Sequence, residues 1–182
     1  MIIAVIPAKA SSGRLPNKNM HILNGQPLVD YTIDYALASG LINAVYVSTD
    51  SDEIASHASR LGAQVIRRDE RLGGETPIID VYRHAFQQIG NSSITCIVGL
   101  QPDHPDRSRN ADEIIRYFLQ NDADQLFSKD NNGIKNGAHY ILRSNILNGE
   151  TSRKNVIIVD QCTNIHYAQD LQEAEENLRR QE

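Results

Sequence analysis

No tryptophan occurs in the 182 residues, aromatic side chains make up only 5% of them, and there are just two cysteines. A nucleic-acid surface usually interleaves aromatic with basic residues along a stripe, and no such stripe is present. The formal net charge of −5 points the same way. Cys96 lies in an apolar run and Cys162 in a late polar stretch, which gives neither a disulfide framework nor a metal-binding spacing. A reducing cytoplasm is therefore the expected compartment. No apolar run approaches the roughly 20 residues that cross a bilayer. The first residues read as a strand, so neither a signal peptide nor a membrane span is expected. The phosphate signatures G-x-x-x-x-G-K-[ST] and G-x-G-x-x-G are missing too, which removes a P-loop and the usual dinucleotide site.

What remains is ordinary for a globular protein: 40% apolar and 23% charged residues in a length suited to one domain, residues 1–182. Ile2–Ile6, Ala44–Thr49, Ala63–Arg67 and Ile94–Leu100 read as strands, the last apolar enough to be covered on both faces. Shorter strands are expected at Gln125–Ser128, His139–Arg143 and Val156–Asp160, with a polar loop over Ser128–Asn136. Helical spacing follows Pro27 (Val29, Ile33, Ala36, Leu37, ending at Gly40), and again from Asp50–Glu53 to Gly62. It recurs from Thr76-Pro77 to Gly90 with Ile78, Tyr82, Ala85, Phe86 and Ile89. Asn110 caps a further helix, with Ile114, Ile115, Phe118 and Leu119 facing inward. A last helix starts near Gln169 and carries Leu171, Ala174 and Leu178. Strands alternating with helices predict an α/β fold, a doubly wound and mostly parallel sheet.

The chain is organised around Ile2 to Asn19. Strand Ile2–Ile6 runs into Pro7-Ala8-Lys9-Ala10-Ser11-Ser12-Gly13-Arg14-Leu15-Pro16-Asn17-Lys18-Asn19, with three cations among small residues and two prolines. Ligands of open α/β sheets bind beyond the carboxyl ends of the strands. There, small residues let backbone N–H groups approach an anion and cationic side chains neutralise it. A cationic loop on an acidic protein suggests a phosphate site held mostly by side chains; the alternative is a solvated loop that is basic by chance.

That loop resembles the opening loop of the cytidylyltransferases that activate acidic sugars: the acylneuraminate (CMP-sialic acid) synthetases, the CMP-Kdo synthetases and the SpsF-like proteins. Ser12-Gly13-Arg14-Leu15-Pro16-Asn17-Lys18 follows the S-T-R-L-P-x-K of the Kdo and SpsF branch except at Gly13. Lys9 stands where the sialic-acid branch has arginine, which keeps the charge but loses the bidentate fork. The resemblance implies that Arg14, Lys18 and then Lys9 contact the phosphates, with Ala8, Ser12, Gly13 and Asn19 around the nucleotide. Val47-Ser48-Thr49-Asp50-Ser51-Asp52-Glu53-Ile54 is similar to V-S-T-D-S-x-E-I, although an ordinary helix N-terminus capped by Ser51 explains it better than ligand contact. In the family's R-R-P…D-T-P-S-x-D-V, the arginine lies near the base. Arg68 matches it, while Ile78 replaces the serine and cannot hydrogen-bond a base edge.

Leu100-Gln101-Pro102-Asp103-His104-Pro105-Asp106-Arg107 mixes the family's L-Q-P-T-S-P-L-R with V-Q-G-D-E-P. This implies that Gln101 meets the nucleotide and that Asp103 falls on a magnesium-ligand aspartate. As a turn residue, Asp103 would have no such role. The family's later D-I-D-T-x-x-D-L is here Asn164-Ile165-His166-Tyr167-Ala168-Gln169-Asp170-Leu171. Both acids are therefore replaced, and His166 is a poor ligand for Mg2+. Only SKDNNGIK precedes Asn136-Gly137-Ala138-His139-Tyr140-Ile141, where family members carry a dimer-forming extension. The segment near 129–135 thus implies no family-type dimer, but a monomer or a different homodimer.

The resemblance implies a nucleotidyltransferase that moves CMP from CTP to an acidic sugar such as a sialic acid, with Mg2+ or Mn2+, without nucleic acid or membrane partners. The alternatives are a non-catalytic nucleotide-binding paralogue that has lost the metal acids, or a cytidylyltransferase for a phosphonate or sugar phosphate.

Overall fold

The computed structural model describes residues 1–10, 13–69, 72 and 76–181. β1 (Ile2–Pro7) is the central strand, and its neighbours fix the topology. On one side lie β4 (Ala44–Thr49) and then β5 (Gln64–Arg67), both parallel to it. On the other side β6 (Cys96–Gly99) is also parallel. β8 (Lys135–Arg143) is antiparallel to both β6 and β7 (Gln125–Lys129), and β9 (Asn155–Val159) closes the sheet parallel to β7. The order of the seven strands is β5-β4-β1-β6-β8-β7-β9. The sheet is doubly wound and mostly parallel, as expected. A small hairpin, β2 (Ile22–Leu23) with β3 (Gln26–Pro27), lies apart and turns on Asn24 and Gly25, both at positive φ.

Helices cover both faces. α1 (Leu28–Leu37), α2 (Asp52–Arg60) and α4 (Ala111–Gln120) bury Val29, Ile33, Ile54, Ala58, Ile114, Ile115 and Phe118 against one face. On the other, α3 (Ile78–Ile89) and the single-turn α5 (Ser144–Leu147) contribute Tyr82, Ala85, Ile146 and Leu147. α6 (Ala168–Gln181) lays Leu171 and Ala174 on Leu23, Leu28 and Ile165.

Local chemistry explains most boundaries. The Ser51 hydroxyl accepts from the Ile54 N–H at the start of α2, and Asn110 accepts from Asp112 and Glu113 at the start of α4. Gly90 ends α3 in the left-handed conformation. Three expectations are corrected. α1 stops at Leu37, before Gly40. Leu119 is 45% exposed, because the inward face of α4 is filled by Ile114, Ile115 and Phe118. The loop within 128–136 is shorter than expected: β7 reaches Lys129, β8 begins at Lys135, and only Asp130 to Ile134 form a tight turn between them.

Candidate active site

β1 has β4 on one side and β6 on the other, so the direction in which successive strands are added reverses there. A crevice therefore opens beyond its carboxyl end, where this class of sheet binds ligands. The loops after β1 and β6 border it. A cleft of about 520 Å³ lies there, lined by Lys9, Gly13, Arg14, Lys18, Asn19, Arg68, Ile78, Gln101, Asp103 and His166, among others. Nearly every candidate residue thus meets in one place. Ala8 is buried just beneath, its N–H donating to the Ser48 carbonyl at 2.9 Å. Ser12 lies outside the described residues.

The opening loop is anchored from below. Asp50, at the end of β4, accepts from the Ala10 N–H at 2.7 Å. Asn19 donates its amide to the Lys9 carbonyl at 2.9 Å, which ties the far end of the loop to its start. Lys18 ion-pairs with Asp103 at 2.7 Å and donates to the Ile165 carbonyl at 2.9 Å. The Arg14 guanidinium carbon stands 6.0 Å from the Tyr167 ring centroid. At Gly13 a side chain would meet nothing within 4 Å, so the glycine is not required by crowding.

Arg68 is the least satisfied group in the cleft. It is buried just after β5, and its Nε and Nη2 have no hydrogen-bond partner among the described residues. Burial draws its pKa down, and the charge of Asp50 opposes that. A buried donor without an acceptor costs free energy, so the arrangement fits a ligand that supplies one.

The loop after β6 is held by a residue whose role the sequence did not reveal. Arg107 is buried and donates to four acceptors: the Ala138 carbonyl (3.1 Å), Thr32 Oγ1 (2.9 Å), the His104 carbonyl (2.5 Å) and the Gln101 carbonyl (2.5 Å). It clamps the loop and never enters the cleft. Asp106 accepts from the Thr163 N–H and hydroxyl and from the Asn177 amide, which joins the same loop to the segment before α6. Gly137, at φ +82°, lets Gln101 lie across it; a Cβ there would fall 2.5 Å from Gln101 Nε2. His166 is held through its N–H by Asp170, which also accepts from Tyr167 and so supports the start of α6.

Taken together, among the described residues four cations (Lys9, Arg14, Lys18, Arg68) face one carboxylate, Asp103. The cleft is built for a polyanion. Among the described residues no group of three or more His, Cys, Asp or Glu could hold a metal by itself. Asp103 nevertheless fits nucleotide-bound magnesium, which takes one or two carboxylates and leaves its other positions to phosphate and water. His166 adds a nitrogen donor, which suits Mg2+ poorly.

The cytidylyltransferase family model matches residues 3–178. The chain belongs to the cytidylyltransferase family. It is 40% identical over 125 residues to a CMP-N,N'-diacetyllegionaminic acid synthase of Legionella pneumophila, a match covering 65% of this chain and 52% of that protein. It is 31% identical over 127 residues to a 3-deoxy-manno-octulosonate cytidylyltransferase of Christiangramia forsetii, covering 69% and 48%. These matches span about half the length of the curated relatives. A CMP:2-keto-3-deoxy-manno-octonic acid synthetase, solved with CTP, superposes with a TM-score of 0.81 at 14% identity, covering all of this chain and 99% of that one. That likeness establishes the nucleotidyltransferase fold alone. Cytidylyltransferases of this kind generally use a divalent metal. No helix of the described residues is long and apolar enough to cross a membrane.

Proposed function

We propose that this chain is a nucleotidyltransferase that transfers CMP from CTP to an acidic sugar, a sialic acid or related nonulosonate, and releases pyrophosphate. The observation that carries the reading is the gathering of Lys9, Arg14, Lys18 and Arg68 around Asp103 at the end of β1. An acceptor hydroxyl attacks the α-phosphorus and gives up its proton to solvent water. The new P–O bond forms as the α–β bridging bond breaks, and pyrophosphate leaves. Arg14, Lys18 and Lys9 neutralise the charge that develops on the leaving group, and positioning supplies much of the rate. Arg68 takes the nucleotide into its unpaired donors, and Gln101, Gly13 and Asn19 complete the wall around it. Mg2+, with Mn2+ as its substitute, would sit on Asp103 beside His166 and supply further charge neutralisation at the phosphates. The cytoplasm suits this reading, since Cys96 and Cys162 are buried free thiols.

A second reading is a nucleotide-binding protein without turnover. It is favoured by the engagement of Asp103 with Lys18, and by Asn164 and His166 at positions where the family resemblance expects acids.

The two readings separate in one experiment. The protein is incubated with Mg2+ or Mn2+, each of the four NTPs in turn, and a panel of sialic acids, legionaminic acids, Kdo, phosphonates and sugar phosphates, and pyrophosphate is measured. Release with CTP and an acidic sugar supports the transferase. No release with any acceptor, while CTP still raises the melting temperature, replaces it with the binding protein.

A further inference from the structure

Among the described residues, β9 is the last strand on its side of the sheet and bonds only to β7. In a parallel ladder, each residue's N–H and C=O turn to the same side, and the side alternates along the strand. The Asp160 N–H donates to the Lys129 carbonyl, and the Lys154 carbonyl accepts from the Gln125 N–H. Even-numbered residues therefore face β7. The N–H and C=O groups of Asn155, Ile157 and Val159 turn outward, along an open edge.

Soluble proteins usually guard such an edge with a lysine, a proline, a bulge or a covering element. The strand Asn155-Val156-Ile157-Ile158-Val159 carries no charge and no proline. Its pairing with β7 is unbroken by any bulge. Ile157 is 45% exposed and Val159 49%. Next to them on the same face lie the half-buried Phe127 of β7 and, beyond it, Tyr140 of β8.

We propose that β9 is a homodimer seam: two copies pair edge to edge, antiparallel, about a twofold axis at Ile157, and join their sheets into one. The occupant is a second copy because the edge complements itself. With three outward residues centred on Ile157, the twofold matches Ile157 to Ile157 and Asn155 to Val159 in both directions. Every outward N–H then meets an outward carbonyl, in the spacing of hydrogen-bonded antiparallel pairs. The same alignment sets Lys154 across from Asp160 and Arg153 across from Gln161, so no like charges are opposed. Ile157 packs on its own symmetry mate, as an isologous interface requires. None of these residues lines the cleft, so the seam stands or falls independently of the proposed activity.

The whole chain is examined by sedimentation equilibrium over a concentration series, with a cross-linking variant beside it. Across a hydrogen-bonded antiparallel pair the Cα atoms lie about 5.5 Å apart, within disulfide reach. Ile157→Cys should therefore oxidise to a covalent dimer. Glu150→Cys, exposed but off the seam, should not, and the native Cys96 and Cys162 are buried. The expected result is a monomer–dimer equilibrium for the unaltered chain that Ile157→Lys weakens at least ~10-fold with the circular dichroism unchanged. A chain that stays monomeric throughout, or a dimer that survives Ile157→Lys, overturns the seam. So does an Ile157→Cys variant that cross-links no faster than Glu150→Cys. Should Ile157→Lys misfold, the cross-linking comparison alone decides.

Discussion

Lys18 and Asp103 meet at 2.7 Å across the cleft, the lysine rising from the opening loop and the aspartate from the loop after β6. Lys18 has two acceptors already, Asp103 and the Ile165 carbonyl. A triphosphate entering the cleft must therefore compete for it. In return, the pair holds the two walls in register while the site is empty.

Lys18→Met separates these roles. A charge-assisted hydrogen bond contributes about 1.5–3 kcal/mol, so CTP affinity should fall roughly 10- to 100-fold. The abandoned Asp103 keeps some access to water, which limits the stability loss to about 1–2 kcal/mol. Adding Asp103→Asn should restore the stability and leave the affinity low. Calorimetric titration and urea unfolding of the single and double variants check both halves.

Arg68→Met should behave in the opposite way in the absence of ligand. Its Nε and Nη2 make no hydrogen bond among the described residues, so their removal gives up only the attraction of Asp50 and relieves a desolvated charge. Unfolding free energy should stay level or rise by about 1 kcal/mol, while CTP affinity drops about tenfold or more. A variant that loses stability and keeps CTP affinity would assign Arg68 to the scaffold.

His104 gives the protein a pH dependence of predictable sign. Burial first, and then the charge of Arg107, lower its pKa from 6.5 to about 4, and it is fully buried with Nδ1 2.8 Å from the Thr163 carbonyl. Between those values the unfolded chain takes up a proton that the folded chain refuses. Stability should therefore fall as pH drops from about 6.5 toward 4, by up to about 3 kcal/mol. His104→Asn should flatten that part of the profile, whatever its effect at pH 7.5. Urea unfolding at several pH values measures the slope. Asp160 adds its own loss below pH 3.8: burial pushes its carboxyl up, but bonds from His139 and Ser108 outweigh this and hold it low.

Gly13→Lys tests the loop from the other side. A Cβ there would meet nothing within 4 Å, and the cleft lining already gathers Lys9, Arg14, Lys18 and Arg68. A further cation should tighten CTP binding several-fold, to about tenfold at low ionic strength, and less as salt screens it. Titration at two salt concentrations reads the effect.

How far the sequence anticipated this site follows from which forces are local. Ser51, Asn110 and Gly90 announce helix boundaries because a cap depends on a few neighbouring residues. The apolar runs of β1 and β6 announce buried parallel strands for the same reason. Pairing is not local. β8 reads as a strand, but nothing in its residues states that it lies antiparallel between β6 and β7. Arg14, Lys18, Asp103 and Arg68 were recognisable from motif resemblance, whereas the Lys18–Asp103 contact and the orphaned donors of Arg68 emerge only once distant loops meet. Arg107 reads in the sequence only as the last residue of the L-Q-P-T-S-P-L-R match. Its four acceptors sit in separate segments, which is why its clamping role was invisible.

The central claim is that the cleft at the end of β1 holds the triphosphate of CTP through Arg14 and Lys18. Calorimetric titration of CTP into the unaltered chain and into the Arg14→Ala/Lys18→Met double variant tests it most directly. The account predicts one site per chain whose affinity falls at least ~100-fold in the double variant, two charge-assisted contacts being lost. Equal CTP affinity in the two proteins would contradict it.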